Sequence, residues 1–230
     1  MGSGYSRELF RHWSDLDRDG CDTREEVLIE ERVTGVVRGC RVVNGTWFSR
    51  YDGVTTNNPS NFDIDHFVPL KEAWDSGAWR WNANTRERFA NDLAYPRSLI
   101  AVTASSNRSK SDRDPADWLP KRQKCEYARS WVAVKFRWRL SVDTREKSTL
   151  TQILRNCSGK IVTPPLASIG IGSNSTKPND PAGSPSTGKN DPRFATCGEA
   201  IAAGFGPYQR DKDVEYDWYV DRDRDGTVCE

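Results

Sequence analysis

The chain has 230 residues and a formal net charge of +1, with 36% hydrophobic and 29% charged residues. This length suits one good-sized domain plus a small one. No apolar run approaches the ~20 residues that a membrane-spanning helix needs, so we expect no membrane span. Residues 194–230 hold 4 basic and 9 acidic residues, whereas the rest holds 30 and 24. The basic body suits a polyanionic partner, and the acidic tail suits a cation.

Cysteine usage points to an oxidising compartment. The six cysteines never form a Cys-x-x-Cys pair, which argues against structural zinc. An even number without metal spacing favours disulfides and a secreted protein. Several connectivities are open, and nearest-neighbour pairing is the simplest of them: Cys21–Cys40, Cys125–Cys157 and Cys197–Cys229.

An acidic motif near the start resembles a calcium-binding loop. Asp15, Asp17, Asp19 and Glu26 occupy positions one, three, five and twelve, and Gly20 occupies position six. Those positions supply the oxygen ligands and the sharp turn of such a loop. The alternative is an acidic turn before a helix over residues 23–31, capped by Asp22 or Thr23. Because no clear pair of helices flanks the motif, both interpretations stay open.

Periodicity predicts a mixture of strands and helices, and therefore an α+β fold. A hairpin is predicted over residues 33–48, turned at Asn44-Gly45. Two short strands follow over residues 63–68 and 99–103, with helices over residues 85–91, 107–112, 121–140 and 144–156. Three clustered tryptophans are predicted to be core residues: Trp74, Trp79 and Trp81. Residues 166–193 are dense in Gly, Ser, Pro and Asn, which is typical of a flexible linker.

Two stretches carry residues suited to phosphodiester hydrolysis. One is Asp63-Ile-Asp65-His66-Phe-Val-Pro-Leu, and the other is Asn107-Arg-Ser-Lys110-Ser-Asp. The reaction needs a base that deprotonates water and a cation that holds the developing negative charge. A histidine can be that base near neutral pH. The carboxylate of Asp65 and the amide oxygen of Asn107 are ligand types that suit Mg²⁺.

Geometry limits how these residues can meet. Asp65 and His66 are adjacent, so in a regular strand they would point to opposite faces. The strand must therefore end or bulge there if both serve one site. Asn107 and Lys110 share a helix face, so Lys110 or Arg108 could hold a phosphate. The chain's second histidine, His12, has no role in this arrangement, and we expect little effect from its replacement.

The paired motif resembles the HNH (ββα-metal) nuclease family, and is close to the HNH domain of CRISPR effector nucleases. The resemblance covers about residues 63–119. It implies that His66 is the general base and that Asp65 and Asn107 are metal ligands. No histidine follows His66, whereas the HNH signature often ends in a second one, so Asp63 and Asp112 are further candidate ligands.

The segment from Phe194 to Glu230 resembles the Excalibur extracellular calcium-binding domain, and the whole arrangement resembles secreted actinobacterial HNH-family nucleases. The resemblance implies a Cys197–Cys229 pair and four candidate calcium ligands: Asp221, Asp223, Asp225 and Glu230. The alternative is a disulfide-bonded acidic segment without metal. We therefore expect a nuclease domain over residues 1–165, a linker over 166–193 and a calcium-binding domain over 194–230.

The sequence thus predicts a secreted HNH-type endonuclease of low sequence specificity. Its substrate would be DNA, with RNA as a further candidate, and its cofactor Mg²⁺, Mn²⁺ or another divalent cation, with Ca²⁺ at the Asp-rich loops. The competing hypothesis is a calcium-dependent extracellular binding module whose HNH region is a non-catalytic scaffold. A sequence-specific restriction enzyme fits less well, because the sequence shows no recognition domain and six cysteines seldom pair in the cytosol.

Overall fold

The computed structural model describes residues 4–172, 208–210, 213 and 227–228. The chain divides into two compact units, Met1–Ala167 and Ser168–Glu230. In the second unit, the short strands β6 (Tyr208–Gln209) and β7 (Thr227–Val228) pair antiparallel. Most of the predicted linker lies outside the described residues, as do the expected tail ligands and disulfide: Asp221, Asp223, Asp225, Glu230 and Cys197–Cys229. Within the described residues, no helix is both long and apolar enough to cross a membrane.

The first unit mixes helices with two small sheets, which confirms the α+β prediction. Its helices are α1 (Thr23–Glu30), α2 (Leu70–Asp75), α3 (Ala83–Ala90), α4 (Ala104–Lys110), α5 (Lys124–Arg137) and α6 (Thr144–Arg155). Its strands are β1 (Arg32–Arg38), β2 (Arg41–Phe48), β3 (Thr55–Thr56), β4 (Phe62–His66) and β5 (Leu99–Thr103). One sheet has the order β1-β2-β3, and the other pairs β4 with β5.

The first sheet departs from the prediction at its turn. The hairpin turns at Gly39-Cys40, where Arg38 pairs with Arg41, and not at Asn44-Gly45. Asn44 has a positive φ of 51° and lies where the register shifts, so Asn44-Gly45 forms a bulge within β2. A side chain on Gly45 would collide with Val42 and Trp47. Because Gly45 has no side chain, Val42 and Trp47 can approach its backbone closely at this bulge.

Disulfides secure the first unit at two places. Cys21–Cys40 joins the acidic loop before α1 to the tip of the β1–β2 hairpin, across 19 residues of chain. Cys125–Cys157 joins the start of α5 to the segment after α6, across 32 residues. Both pairings confirm the nearest-neighbour prediction.

The second sheet and α4 form a β-hairpin followed by a helix. β4 and β5 pair antiparallel in a regular register from Phe62↔Thr103 to His66↔Leu99. Thr103 begins α4 by accepting a hydrogen bond from the Ser106 backbone N–H. Asp52 secures the same corner, because its carboxylate accepts hydrogen bonds from the Ser106 and Thr103 hydroxyls. α4 therefore folds back along the sheet.

The hydrophobic core lies on one face of the β4–β5 sheet and between the helices. One cluster joins α1, β2 and this sheet, through Val27, Leu28, Trp47, Phe62, Ile64, Leu99 and Ala101. Buried ion pairs connect the helical part, such as the bidentate Arg137–Asp92 pair at 2.8 and 2.9 Å. Trp74 and Trp81 are buried as predicted, whereas Trp79 is 41% exposed. The body continues through Ala167, whose N–H donates to the Arg137 carbonyl.

Candidate active site

Strand β4 distributes the predicted site residues over its two faces. Its register shows no bulge through His66, so alternate side chains project to opposite sides. Asp63 and Asp65 contact α4, whereas Phe62 and Ile64 enter the core beneath α1. His66 is the next alternate residue after Phe62 and Ile64 and projects to their side of the sheet. The structure therefore keeps the regular alternation without a bulge, and β4 ends at His66, which is the other arrangement that the prediction allowed.

Asp65 is fully engaged by a buried lysine. The Lys110 ammonium lies 2.8 Å from both carboxylate oxygens and donates to the His66 carbonyl at 3.0 Å. The Tyr51 hydroxyl donates to Asp65 at 2.6 Å. Burial raises the pKa of Asp65, and the adjacent Lys110 ammonium opposes that rise. Since the side chain of Lys110 is 0% exposed, it anchors α4 to β4 and is not at the surface where a phosphate would bind.

Asp63 and Asn107 form the accessible oxygen pair on the same face. The Asn107 side-chain N–H donates to the Asp63 carboxylate at 3.2 Å. This leaves the Asn107 amide oxygen and one Asp63 oxygen without a hydrogen-bond partner among the described residues. The Arg108 guanidinium, 79% exposed, lies 3.8 Å from Asp63. Asp112 lies exposed beyond the end of α4. The structure thus pairs Asn107 with Asp63, and Asp65 instead with Lys110.

His66 lies on the other face, buried but with one ring nitrogen unused. Its Nε2–H donates to the Ala90 carbonyl at 2.9 Å. A carbonyl can only accept, so the hydrogen of the neutral ring is on Nε2 and the lone pair is on Nδ1. No described residue donates to that Nδ1. Burial lowers the pKa of His66 to about 3, so the ring is neutral at pH 7 and its Nδ1 lone pair is unprotonated.

His12 and Trp13 are the residues that sequence reasoning missed. The Trp13 ring lies 5.4 Å from the His66 ring, and the His12 ring lies 6.2 Å from it. The His12 Nδ1–H donates to the Phe10 carbonyl at 2.9 Å. The sequence analysis assigned His12 no role in the site, and the structure places its ring beside that of His66. No local motif surrounds His12, and only the tertiary fold brings residues more than fifty positions apart together.

Asn91 positions this N-terminal segment against α3. Its side chain accepts from the Ser14 backbone N–H at 2.9 Å and donates to the Arg11 carbonyl at 2.8 Å. Asn91 directly follows Ala90, whose carbonyl accepts the hydrogen bond from His66. The buried Asn91 side chain thus holds the segment that carries His12 next to Ala90, whose carbonyl accepts the hydrogen bond from His66.

The acidic loop before α1 brings its predicted ligands together. The carboxylates of Asp15, Asp17 and Asp19 lie within 4.8 Å of one another, and all three residues are exposed. Burial, followed by the charges of these aspartates, raises the pKa of Glu26 to about 7. Gly20 makes the turn with a φ of +97°. The alternative prediction also holds, since Asp22 and Glu25 form a capping box that begins α1.

A large cavity lies beside this loop and not at the candidate catalytic residues. It has a volume of about 710 Å³, and Glu26, Glu31, Arg50, Tyr95 and Arg97 are among its lining residues. None of Asp63, His66 and Asn107 lines it.

Comparison with known proteins supports a nuclease-type body and a calcium-binding tail. Residues 37–153 match the family described as "GmrSD restriction endonucleases, C-terminal domain". Residues 194–230 match the Excalibur calcium-binding domain. Both agree with the predicted HNH-type nuclease that carries an Excalibur domain. The family name refers to restriction endonucleases, the class that sequence reasoning ranked lowest, and the match is to their C-terminal domain.

An uncharacterized secreted protein of Arthroderma benhamiae (strain ATCC MYA-4681 / CBS 112371) is 46% identical over 157 residues. The alignment covers 67% of this chain and 76% of that relative. No solved structure matches the chain significantly. The secreted relative and the extracellular calcium-binding domain agree with the predicted location, and the protein is secreted. By its match over residues 37–153, the chain belongs to the family of the GmrSD restriction endonuclease C-terminal domain.

Proposed function

We propose that this protein is an extracellular, metal-dependent endonuclease that hydrolyses phosphodiester bonds of DNA with low sequence specificity. RNA is a second candidate substrate. The observation that carries the proposal is the state of His66: a neutral, buried ring whose Nε2–H is held by the Ala90 carbonyl and whose Nδ1 keeps its lone pair. The family match over residues 37–153 supports the same reaction class.

His66 acts as the general base in this proposal. Its Nδ1 accepts a proton from the attacking water, and the hydrogen bond to Ala90 holds the ring's orientation and tautomer. Trp13 packs at 5.4 Å against the ring and limits its rotation. Water attack on phosphorus releases the 3′ oxygen and leaves 5′-phosphate and 3′-hydroxyl ends.

The oxygen pair of Asp63 and Asn107 suits a hard divalent cation. Each offers an oxygen that no described residue donates to, and the pair is partly exposed beside the Arg108 guanidinium. A bound cation would stabilise the negative charge that develops on the phosphate oxygens. Arg108, 79% exposed and 3.8 Å from Asp63, would be accessible to a phosphate bound to that cation. Asp65 would join only if Lys110 released it.

Cleavage assays across metals test this proposal. The full chain is incubated with plasmid DNA, single-stranded DNA and RNA in Mg²⁺, Mn²⁺, Ca²⁺ or EDTA. We expect cleavage with a divalent metal, none in EDTA, and a loss of about 10²–10⁴-fold in His66→Ala. Intact substrates under every condition would favour the competing hypothesis of a non-catalytic binding module. Circular dichroism confirms that the variant is folded.

We further propose that the loop of Asp15, Asp17, Asp19 and Glu26 binds calcium alongside the tail. The clustering of three carboxylates and the raised pKa of Glu26 support this. Calorimetric titration of the full chain with calcium should give two sites, and Asp17→Asn should remove one. A stoichiometry that is the same in Asp17→Asn would contradict the proposal for this loop.

A further inference from the structure

The β1–β2 hairpin is an exposed ribbon with one sign of charge. From residue 32 to residue 51 the chain has four arginines and no acidic residue. Arg32, Arg38, Arg41 and Arg50 are all exposed. In β1, every residue but Gly35 is exposed, so both faces of this edge strand meet solvent. Valines 33, 36 and 43 lie between the charges and are 41% exposed or more.

The tip of this ribbon places like charges directly opposite each other. Arg38 pairs with Arg41 across the turn, an arrangement that opposes folding. Neither guanidinium makes a hydrogen bond or an ion pair with another described residue. The Cys21–Cys40 disulfide nevertheless holds the tip in place. No described carboxylate of the acidic loop that the disulfide joins to this tip pairs with either arginine, so an anionic partner that spans both would stabilise them.

A basic cavity lies beside the ribbon. It has a volume of about 400 Å³ and lies between α1, β2 and the turn before β4. Arg24, Arg41 and the exposed Ser60 line it. Its acidic neighbour, Glu25, is occupied, because its carboxylate accepts the Asp22 backbone N–H at 3.0 Å. The cavity therefore offers cations and a hydroxyl to an anion.

The ribbon lies on the same side of the sheet as His66. Trp47 of β2 packs against Phe62 and Ile64, the residues that alternate with His66 on that face. Arg24 donates to the Phe62 carbonyl at 3.5 Å. Phe62 and His66 are four residue steps apart along β4, or about 13 Å at ~3.3 Å per residue.

We infer that the β1–β2 hairpin and the Arg24–Arg41 cavity bind the sugar–phosphate backbone of a nucleic acid. The inference rests on the proposed nuclease function and assigns its substrate-holding surface. The supporting evidence is charge complementarity, because the ribbon has exposed arginines and no acidic residue. In the proposed complex these arginines contact successive phosphates. A two-stranded ribbon also fits the width of a duplex major groove. Arg24, which lines the cavity of this surface, contacts β4 four positions before His66.

Binding is measured without cleavage, so that it does not depend on the hydrolytic proposal. A short labelled DNA duplex is titrated in EDTA with the full-length His66→Ala chain, by fluorescence anisotropy over a series of KCl concentrations. Arg38→Gln with Arg41→Gln is compared with Arg155→Gln with Lys160→Gln, which removes two exposed charges elsewhere. Arg24→Gln is tested separately. Urea unfolding and circular dichroism confirm that each variant is folded.

Loss of two phosphate contacts should lower the slope of log K against log salt by about two and weaken binding at least about tenfold. Arg24→Gln should lower that slope by about one, and the control pair should change neither. Unchanged affinity and slope in the hairpin variant would overturn the inference even if the wild type cleaves DNA. A changed sedimentation coefficient with unchanged DNA affinity would also overturn it, and would assign this edge strand to self-association. Duplex binding that needs the hairpin in a protein without hydrolytic activity would leave the inference standing and remove the proposed function.

Discussion

The two faces of β4 hold their polar groups in opposite ways. On one face, Asp65 forms an ion pair with Lys110 and accepts a hydrogen bond from the Tyr51 hydroxyl. On the other face, His66 has no ionic partner among the described residues, and its Nε2–H donates to the Ala90 carbonyl. The first arrangement engages both carboxylate oxygens of Asp65 and joins α4 to β4. The second leaves a lone pair unused, which is what proton transfer requires.

The difference teaches that neighbours in sequence need not share a site. A regular strand separates Asp65 from His66, and Lys110 is long enough to reach the deeper carboxylate. The metal-ligand role predicted for Asp65 passes in our proposal to Asp63, which lies two residues earlier on the same face and beside Asn107.

Removing the lysine should have the largest effect on stability. Lys110→Met leaves the Asp65 carboxylate buried without its cation, so we expect the free energy of unfolding to fall by about 3–5 kcal/mol. Replacing both partners, as Lys110→Met with Asp65→Leu, should restore most of it. Urea denaturation measures both, with the exposed Arg108→Met as the matched control. A Lys110→Met protein as stable as the wild type would show that this pair does not anchor α4.

Removing either disulfide should cost about 2–4 kcal/mol of stability. The Cys125–Cys157 link closes the longer loop, so its loss should cost slightly more than the loss of Cys21–Cys40. Only the Cys21–Cys40 disulfide holds the tip of the arginine-bearing hairpin. Urea unfolding and duplex binding of the two double serine variants separate the effects. DNA affinity that falls equally in both would contradict the assignment of the hairpin.

Replacing Asn107 tests the proposed metal side. Asn107→Ala removes an oxygen beside Asp63, so the metal concentration for half-maximal cleavage should rise about tenfold or more. The rate at saturating metal should change much less. Ser105→Ala, an exposed change on the same helix, is the control. An unchanged metal concentration for half-maximal cleavage would show that the metal does not bind beside Asn107.

Replacing His12 should have the smallest effect. Its ring packs near Trp13 and His66 but its Nδ1–H is bonded to the Phe10 carbonyl. We expect His12→Ala to slow cleavage by less than about tenfold, well below the range for a general base. Single-turnover rates measure this. A loss as large as that of His66→Ala would mean that both histidines take part in proton transfer.

Local signals predicted much of the framework. The apolar run at Leu99–Thr103 is the strand β5 with the same bounds, and the cap at Asp22 begins α1 as expected. The hairpin turn was misplaced because Asn44-Gly45 has the sequence of a tight turn. The turn instead lies five residues earlier, at Gly39-Cys40, where the Cys21–Cys40 disulfide holds the hairpin tip.

The site was predicted in its residue types and less well in its pairings. Asn107 lies beside a carboxylate on β4 as expected, but that carboxylate is Asp63. Whether Lys110 faces solvent or Asp65 depends on how α4 packs on the sheet, which local sequence does not specify. The approach of His12 depends on the Asn91 contacts with residues 77 and 80 positions away. Such long-range contacts have no local signature.

A metal titration of single-turnover DNA cleavage by the wild type and His66→Ala tests the division of labour between the two faces. If His66 only moves a proton, the variant's rate at saturating metal falls by about 10²–10⁴-fold, while its half-saturating metal concentration equals that of the wild type. A shifted half-saturation, or a rate that survives the substitution, would contradict a metal-free role for His66.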